Sequence, residues 1–179
     1  MNADDSRAAA TYLGIQDYRP AFQRGVEAIA AAHGPQLLDL PGRTLVRTWL
    51  CCARDDEEWV ADAPVVLQFD GVQLEILHNK FDELSLTRGR IDVVRPIDFP
   101  DGDWRWSDDS NERLSALRGR VVVDVELLEW LGRDMAYGSL AIGLLFESGD
   151  RLTIYNALDE NGLTFDAPLA EYRAYRLAD

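Results

Sequence analysis

Apolar and polar positions along the chain change texture near residue 41. Before it, YRPAFQRGVEAIAAAHGP (residues 18–35) sets Phe22, Val26, Ile29 and Ala30 at i, i+4, i+7 and i+8, one stripe of a 3.6-residue period. Pro20 suits a first helical turn, and Gly34-Pro35 reads as the stop. This predicts an amphipathic helix packed on a sheet face. The alanine-rich stretch ahead of it reads as a short helix ending near Gly14, so residues 1–34 form an N-terminal helical segment.

After Pro41-Gly42 the period becomes two. RTLVRTWLCC alternates, with Leu45, Arg47, Trp49 and Cys51 on one side and Val46, Thr48, Leu50 and Cys52 on the other. PVVLQF and VQLEIL flank an Asp70-Gly71 step, a hairpin signal. RVVVDVELLEW, LAIGLLF and RLTIYN repeat the plan around an ESGD turn, and EYRAYRLAD alternates as a last strand.

The second set is a copy of the first. Leu40/Leu117, Gly42/Gly119, Arg43/Arg120, Leu67/Leu144 and Phe69/Phe146 are 77 apart, as are Asn79/Asn156, Asp82/Asp159 and Glu83/Glu160. Gly71/Gly149, Leu74/Leu152 and Ile76/Ile154 are 78 apart. The second copy thus carries one more residue in its hairpin turn and one fewer before its asparagine, which a turn change and a bulge would produce. We expect an α+β protein: an N-terminal amphipathic helix packed on antiparallel sheet made from a tandem, two-copy β-meander. Each copy is read as three strands sharing one core, in a single domain over residues 1–179 with pseudo-repeats at about 40–90 and 117–167.

Charge changes the picture most. Thirty-two acidic residues against eighteen basic ones leave a net charge of −14, which disfavours nucleic acid and anionic membrane and steers toward basic partners. The basic side is 17 arginines and the single Lys80, the codon habit of a GC-rich bacterial genome. The N-terminus lacks an apolar signal core and no run approaches the roughly 20 residues of a bilayer span, so we expect neither leader nor membrane. Cys51 and Cys52 are adjacent and point to opposite strand faces, which fits free thiols and a cytoplasmic location.

Candidate chemistry is sparse. His33 beside Gly34 reads as a helix-end residue, and His78 closes a strand. Neither belongs to a zinc-type cluster, and no phosphate loop or nucleophile elbow is present. The duplicated Asn-x-x-Asp-Glu reads as turn capping ahead of paired-carboxylate chemistry, because catalytic sites rarely survive duplication in both halves. The Asp-Gly-Asp near residue 102 departs from the calcium-loop pattern. We expect no catalytic residue, no cofactor and no metal, so not an enzyme. Two acidic loops stand out instead. One carries Asp55, Asp56, Glu57, Glu58 and Trp59; the other, between the repeats, carries Asp101, Asp103, Trp104, Trp106, Asp108 and Asp109. Tryptophans ringed by carboxylates suit an anchor for a basic protein, or a cover folded back on the sheet.

The half-repeat carried by Gly42, Leu67, Phe69, Gly71, Leu74, Ile76 and Asn79, and again by Gly119, Leu144, Phe146, Gly149, Leu152, Ile154 and Asn156, resembles a motif of small acidic bacterial immunity proteins of polymorphic toxin systems. That resemblance implies a cytoplasmic protein that binds a cognate, basic toxin domain and occludes its active site. The alternative expectation is a small-ligand or regulatory binding domain with its pocket between the two meanders.

Overall fold

The computed structural model describes residues 11–100 and 102–177. Its antiparallel strands form two five-stranded sheets. In chain order they are β1 (Leu45–Ala53), β2 (Val65–Phe69), β3 (Val72–Asn79), β4 (Glu83–Arg88), β5 (Trp104–Ser107), β6 (Val122–Trp130), β7 (Leu140–Phe146), β8 (Arg151–Asn156), β9 (Asn161–Thr164) and β10 (Tyr172–Tyr175). Helix α1 (Val26–Leu38) precedes β1, and a one-turn α2 (Glu112–Ser115) precedes β6. The spatial orders are β4-β3-β2-β1-β5 and β9-β8-β7-β6-β10. Each copy is therefore a four-stranded meander whose fifth strand returns to pair with the first. The expected three-strand unit was too short, because β4, β5 and β9 are only four to six residues long and carry little periodicity.

The duplication is a pseudo-twofold axis. Gly42 N–H donates to Val122 O (2.7 Å) and Gly119 N–H to Leu45 O (2.8 Å); Leu45 N–H donates to Arg120 O and Val122 N–H to Arg43 O, both at 2.9 Å. Each bond maps onto its mate by the 77-residue offset. Both junction glycines sit at positive φ (88° and 80°), a region open to glycine at little cost. The repeated apolar positions, Leu67, Phe69, Leu74 and Ile76 with Leu144, Phe146, Leu152 and Ile154, all lie in one buried cluster between the sheets, with Ile29 and Leu37 of α1 added. Among residues 40 to 160, then, the repeat is the inter-sheet core written twice.

Several local expectations yield to tertiary contacts. α1 begins at Val26 behind Gly25, so Pro20 and Phe22 lie outside it, and Phe22 packs on a second cluster. The helix also runs through Gly34-Pro35 to Leu38. Pro35 and Ala31, whose carbonyl loses its helical donor, face solvent, while burial of Ile29, His33 and Leu37 on the other side sustains the last turn. His33 is thus mid-helix on the inner stripe and not a terminal residue. The short helix expected before Gly14 falls largely outside the described residues.

On β1 the simple alternation breaks at a bulge between Leu45 and Arg47, and β6 repeats it between Val122 and Asp124. The extra residue shifts the phase, so Leu45 joins Leu50 and Cys52 in the main core while Trp49 and Cys51 face the second cluster. The missing residue before Asn156 is not a bulge. β8 pairs in step with β9, Asn156 opposite Asn161, where β3 places His78 opposite Leu84, so the deletion lies in the turn. β10 confirms the predicted last strand.

The outer face of the first sheet is covered by its own chain. Trp49, Cys51, Val66 and Leu77 lie under Ile15, Tyr18, Ile91 and Ile97. The fully buried Glu75 fastens the cover by accepting from Thr87 Oγ1 (2.6 Å), Gln73 Nε2 (2.8 Å) and Arg90 N–H (2.9 Å). Gly14 (φ 72°) passes so close to Asp98 that a Cβ would stand 2.2 Å from its carbonyl oxygen.

Candidate functional site

The two acidic segments, about fifty residues apart in the chain, meet at one edge. The β1–β2 loop folds tightly on itself: Glu57 N–H bonds Ala53 O (3.1 Å), Ala53 N–H bonds Glu58 O (2.9 Å), and Asp56 Oδ1 accepts from Glu58 N–H (3.0 Å). This displays Asp55, Asp56, Glu57 and Glu58 to solvent. The segment leading into β5, itself paired on β1, runs alongside. Arg54 binds Asp103 through its Nε (2.7 Å), and Arg105 pairs with Glu57. Two arginines therefore tie the segments together and offset Asp103 and Glu57. Asp55, Asp56 and Glu58 have no ion pair among the described residues.

Asp108 and Asp109 sit at the other end of β5, roughly 16 Å from Asp103 at ~3.3 Å per residue. Asp108 lies 3.6 Å from Arg118 and 3.8 Å from Arg47, and Asp109 accepts from Ser107 Oγ (2.9 Å). Asp101 lies outside the described residues.

The tryptophans are held by the fold. Trp104 stacks on Phe99 with ring centroids 3.9 Å apart and planes 11° from parallel. Trp104 and Trp106 are half-buried on the second cluster, and Trp59 bridges to Cys52 and packs on the main core. The acidic stretch between the repeats, expected as a loop, contains β5 and leads into α2.

The duplicated turns join the two repeats. Asn156 Nδ2 donates to Lys80 O (2.6 Å), its Oδ1 accepts from Asp159 N–H (3.0 Å), and Lys80 N–H donates to Asp159 Oδ1. Asp82 and Glu83 are paired with Arg24 at 3.4 and 2.7 Å. Beside them His78 is buried, its Nδ1 3.0 Å from Asn161 Oδ1 and its Nε2 2.9 Å from Leu140 O. Both neighbours are acceptors, and Asn161 cannot be turned over because its Nδ2 donates to Ala61 O (3.0 Å) and Ala63 O (2.9 Å). A neutral ring donates through one nitrogen only, so the second contact lacks a proton. Protonation would supply it, but burial outweighs that gain and pushes the ring pKa down to about 4, with no charged group among the described residues to offset a buried imidazolium. His78 is a structural pin.

The space between the meanders, where the alternative reading set a ligand pocket, is filled by the main core. A cleft of about 660 Å³ lies instead on the second sheet, lined by residues including Trp130, Asp134, Thr153, Tyr155, Leu169 and Tyr172. It occupies strand positions that the first sheet covers with chain: the Ala53–Trp104 pair of β1 and β5 becomes Trp130–Tyr172 of β6 and β10, and Leu77 becomes Tyr155. Two glycines make room for its rings. A Cβ at Gly132 would stand 2.4 Å from the Trp130 ring, and one at Gly162 2.4 Å from Tyr155. No sequence pattern marked this cleft, because its walls come from three separate segments, within residues 130–139, 153–158 and 164–172.

Among the described residues no helix is long and apolar enough to cross a membrane. Compared with known proteins, the chain matches no family model, no curated protein and no solved structure.

Proposed function

We propose that this chain is a cytoplasmic binding protein that captures a basic protein partner, a bacterial toxin domain, and neutralises it by covering the toxin's active site. The observation that carries the reading is the convergence of Asp55, Asp56, Glu57 and Glu58 with Asp103 on one exposed edge. The net charge of −14 has the same sign as that local field, and such fields accelerate capture of a basic surface. Rigid support fits this role. The loop is closed by its own backbone bonds and flanked by Trp59 and Trp104, which pack on the two clusters, so little order need be gained on binding.

The test uses the product of the neighbouring gene. Wild type should form a salt-sensitive complex with it, and reversing Asp55, Asp56 and Glu58 to lysine should slow association by about tenfold or more while the thermal midpoint holds. Equal association rates for the two proteins would overturn the assignment of this edge.

A further inference from the structure

We propose that the cleft on the second sheet is a binding site for a small organic cation with an apolar body, the body held among Trp130, Tyr155 and Tyr172 and the charge set against Asp134. Scaffold, shape and charge each point this way. The first repeat fills the same outer-face positions with Ile15, Tyr18 and the 91–97 segment, whereas the second leaves them open and furnishes them with aromatic rings. A volume of about 660 Å³ falls within the roughly 300–1,000 Å³ of ordinary ligand sites. Met135, Leu158 and Leu169, 67%, 49% and 62% exposed, stand around its mouth and offer cover to an alkyl or aryl chain.

The charge class follows from the lining, in which the described residues include Asp134 and Asp166 but no lysine, arginine or histidine. Asp166 is partly offset by Arg113 at 3.6 Å. Asp134 accepts from Trp130 Nε1 (2.8 Å) and Ala136 N–H (2.9 Å), both at Oδ1. Its Oδ2 therefore keeps accepting capacity while the carboxylate is held beside the indole. Trp130 meets Tyr172 edge-on, with centroids 4.9 Å apart, and an indole face next to a carboxylate favours an ammonium. The negative field is already felt by Tyr172, whose phenol is pushed up to about 12 by burial first, then by Tyr155 and Asp134. An anionic ligand would meet the same field with the wrong sign.

The experiment titrates the protein with octylammonium, octanol and octanoate, three probes of one chain length and different charge, followed by the indole N–H resonance of Trp130. Octylammonium should saturate the site about tenfold more tightly than octanol, with octanoate weakest. Asp134→Asn keeps an acceptor for Trp130 and Ala136, so it should bring octylammonium down to the octanol level and leave octanol unchanged. No saturable binding, equal affinities for ammonium and alcohol, or an undiminished preference in D134N would each overturn the proposal. If instead the neighbouring gene's product perturbs Trp130 and no probe does, the cleft is a protein-docking surface and the small-cation reading fails. The partner complex is read separately through the Asp55, Asp56 and Glu58 reversals, so either conclusion can fail alone.

Discussion

His78 ties the stability of this fold to pH in a way that can be calculated. In an unfolded chain the imidazole titrates near 6.5; in the fold its pKa is about 4. The folded value is the lower one, so between these limits the unfolded chain binds a proton that the folded protein does not. Stability from this group is complete above about pH 6.5, declines as pH falls toward 4, and then levels off. The full shift corresponds to about 3 kcal/mol, and at pH 5 the loss is already about 2 kcal/mol. The carboxylates titrate over part of the same range, so the comparison must remove them. His78→Gln serves, because it keeps every other ionisable group. Urea unfolding of both proteins should give a free-energy difference that shrinks by about 2 kcal/mol between pH 7 and pH 5, whatever the glutamine costs at neutral pH. Parallel curves would refute the reasoning, as would an NMR spectrum showing both ring nitrogens protonated at pH 7. Either result would mean that the acceptors Asn161 Oδ1 and Leu140 O outweigh burial.

Two further outcomes follow from packing. Trp104→Ala removes a ring stacked on Phe99 and should cost about 2–3 kcal/mol in urea unfolding; an unchanged midpoint would show that the ring does not hold the cover and return it to the role of free anchor. Cys51 and Cys52 are both buried, and burial pushes the Cys51 thiol up to about 12, so neither should react with a disulfide reagent until urea unfolds the chain, when two equivalents should appear. Rapid labelling of the native protein would contradict that burial.

What could be read from the sequence alone was local or repeated. Alternation located β1 and β10, and turn signals between apolar runs located β2–β3 and, with the repeat, β6–β8, because such signals need no distant information. The 77-residue offset exposed the duplication, because the positions it preserves are those that fill the space between two sheets. The opposed cysteines followed from strand geometry alone. The tertiary structure decided everything that depended on a distant neighbour. Burial of Leu37 carried α1 past Gly34-Pro35, and the paired bulges moved Leu45 to the other face. The meeting of the 55–58 loop with Asp103 required β5 to return to β1 across more than forty residues. The asymmetry of the outer faces lay furthest from view. Whether a sheet face is covered or left as a cleft depends on where other segments come to rest, and the arrival of Ile15 in the cluster of Val66, or of Leu169 in the cleft that Tyr155 lines, leaves no mark at any fixed spacing. Periodicity records which side of a strand is apolar; only the folded chain determines what lies against it.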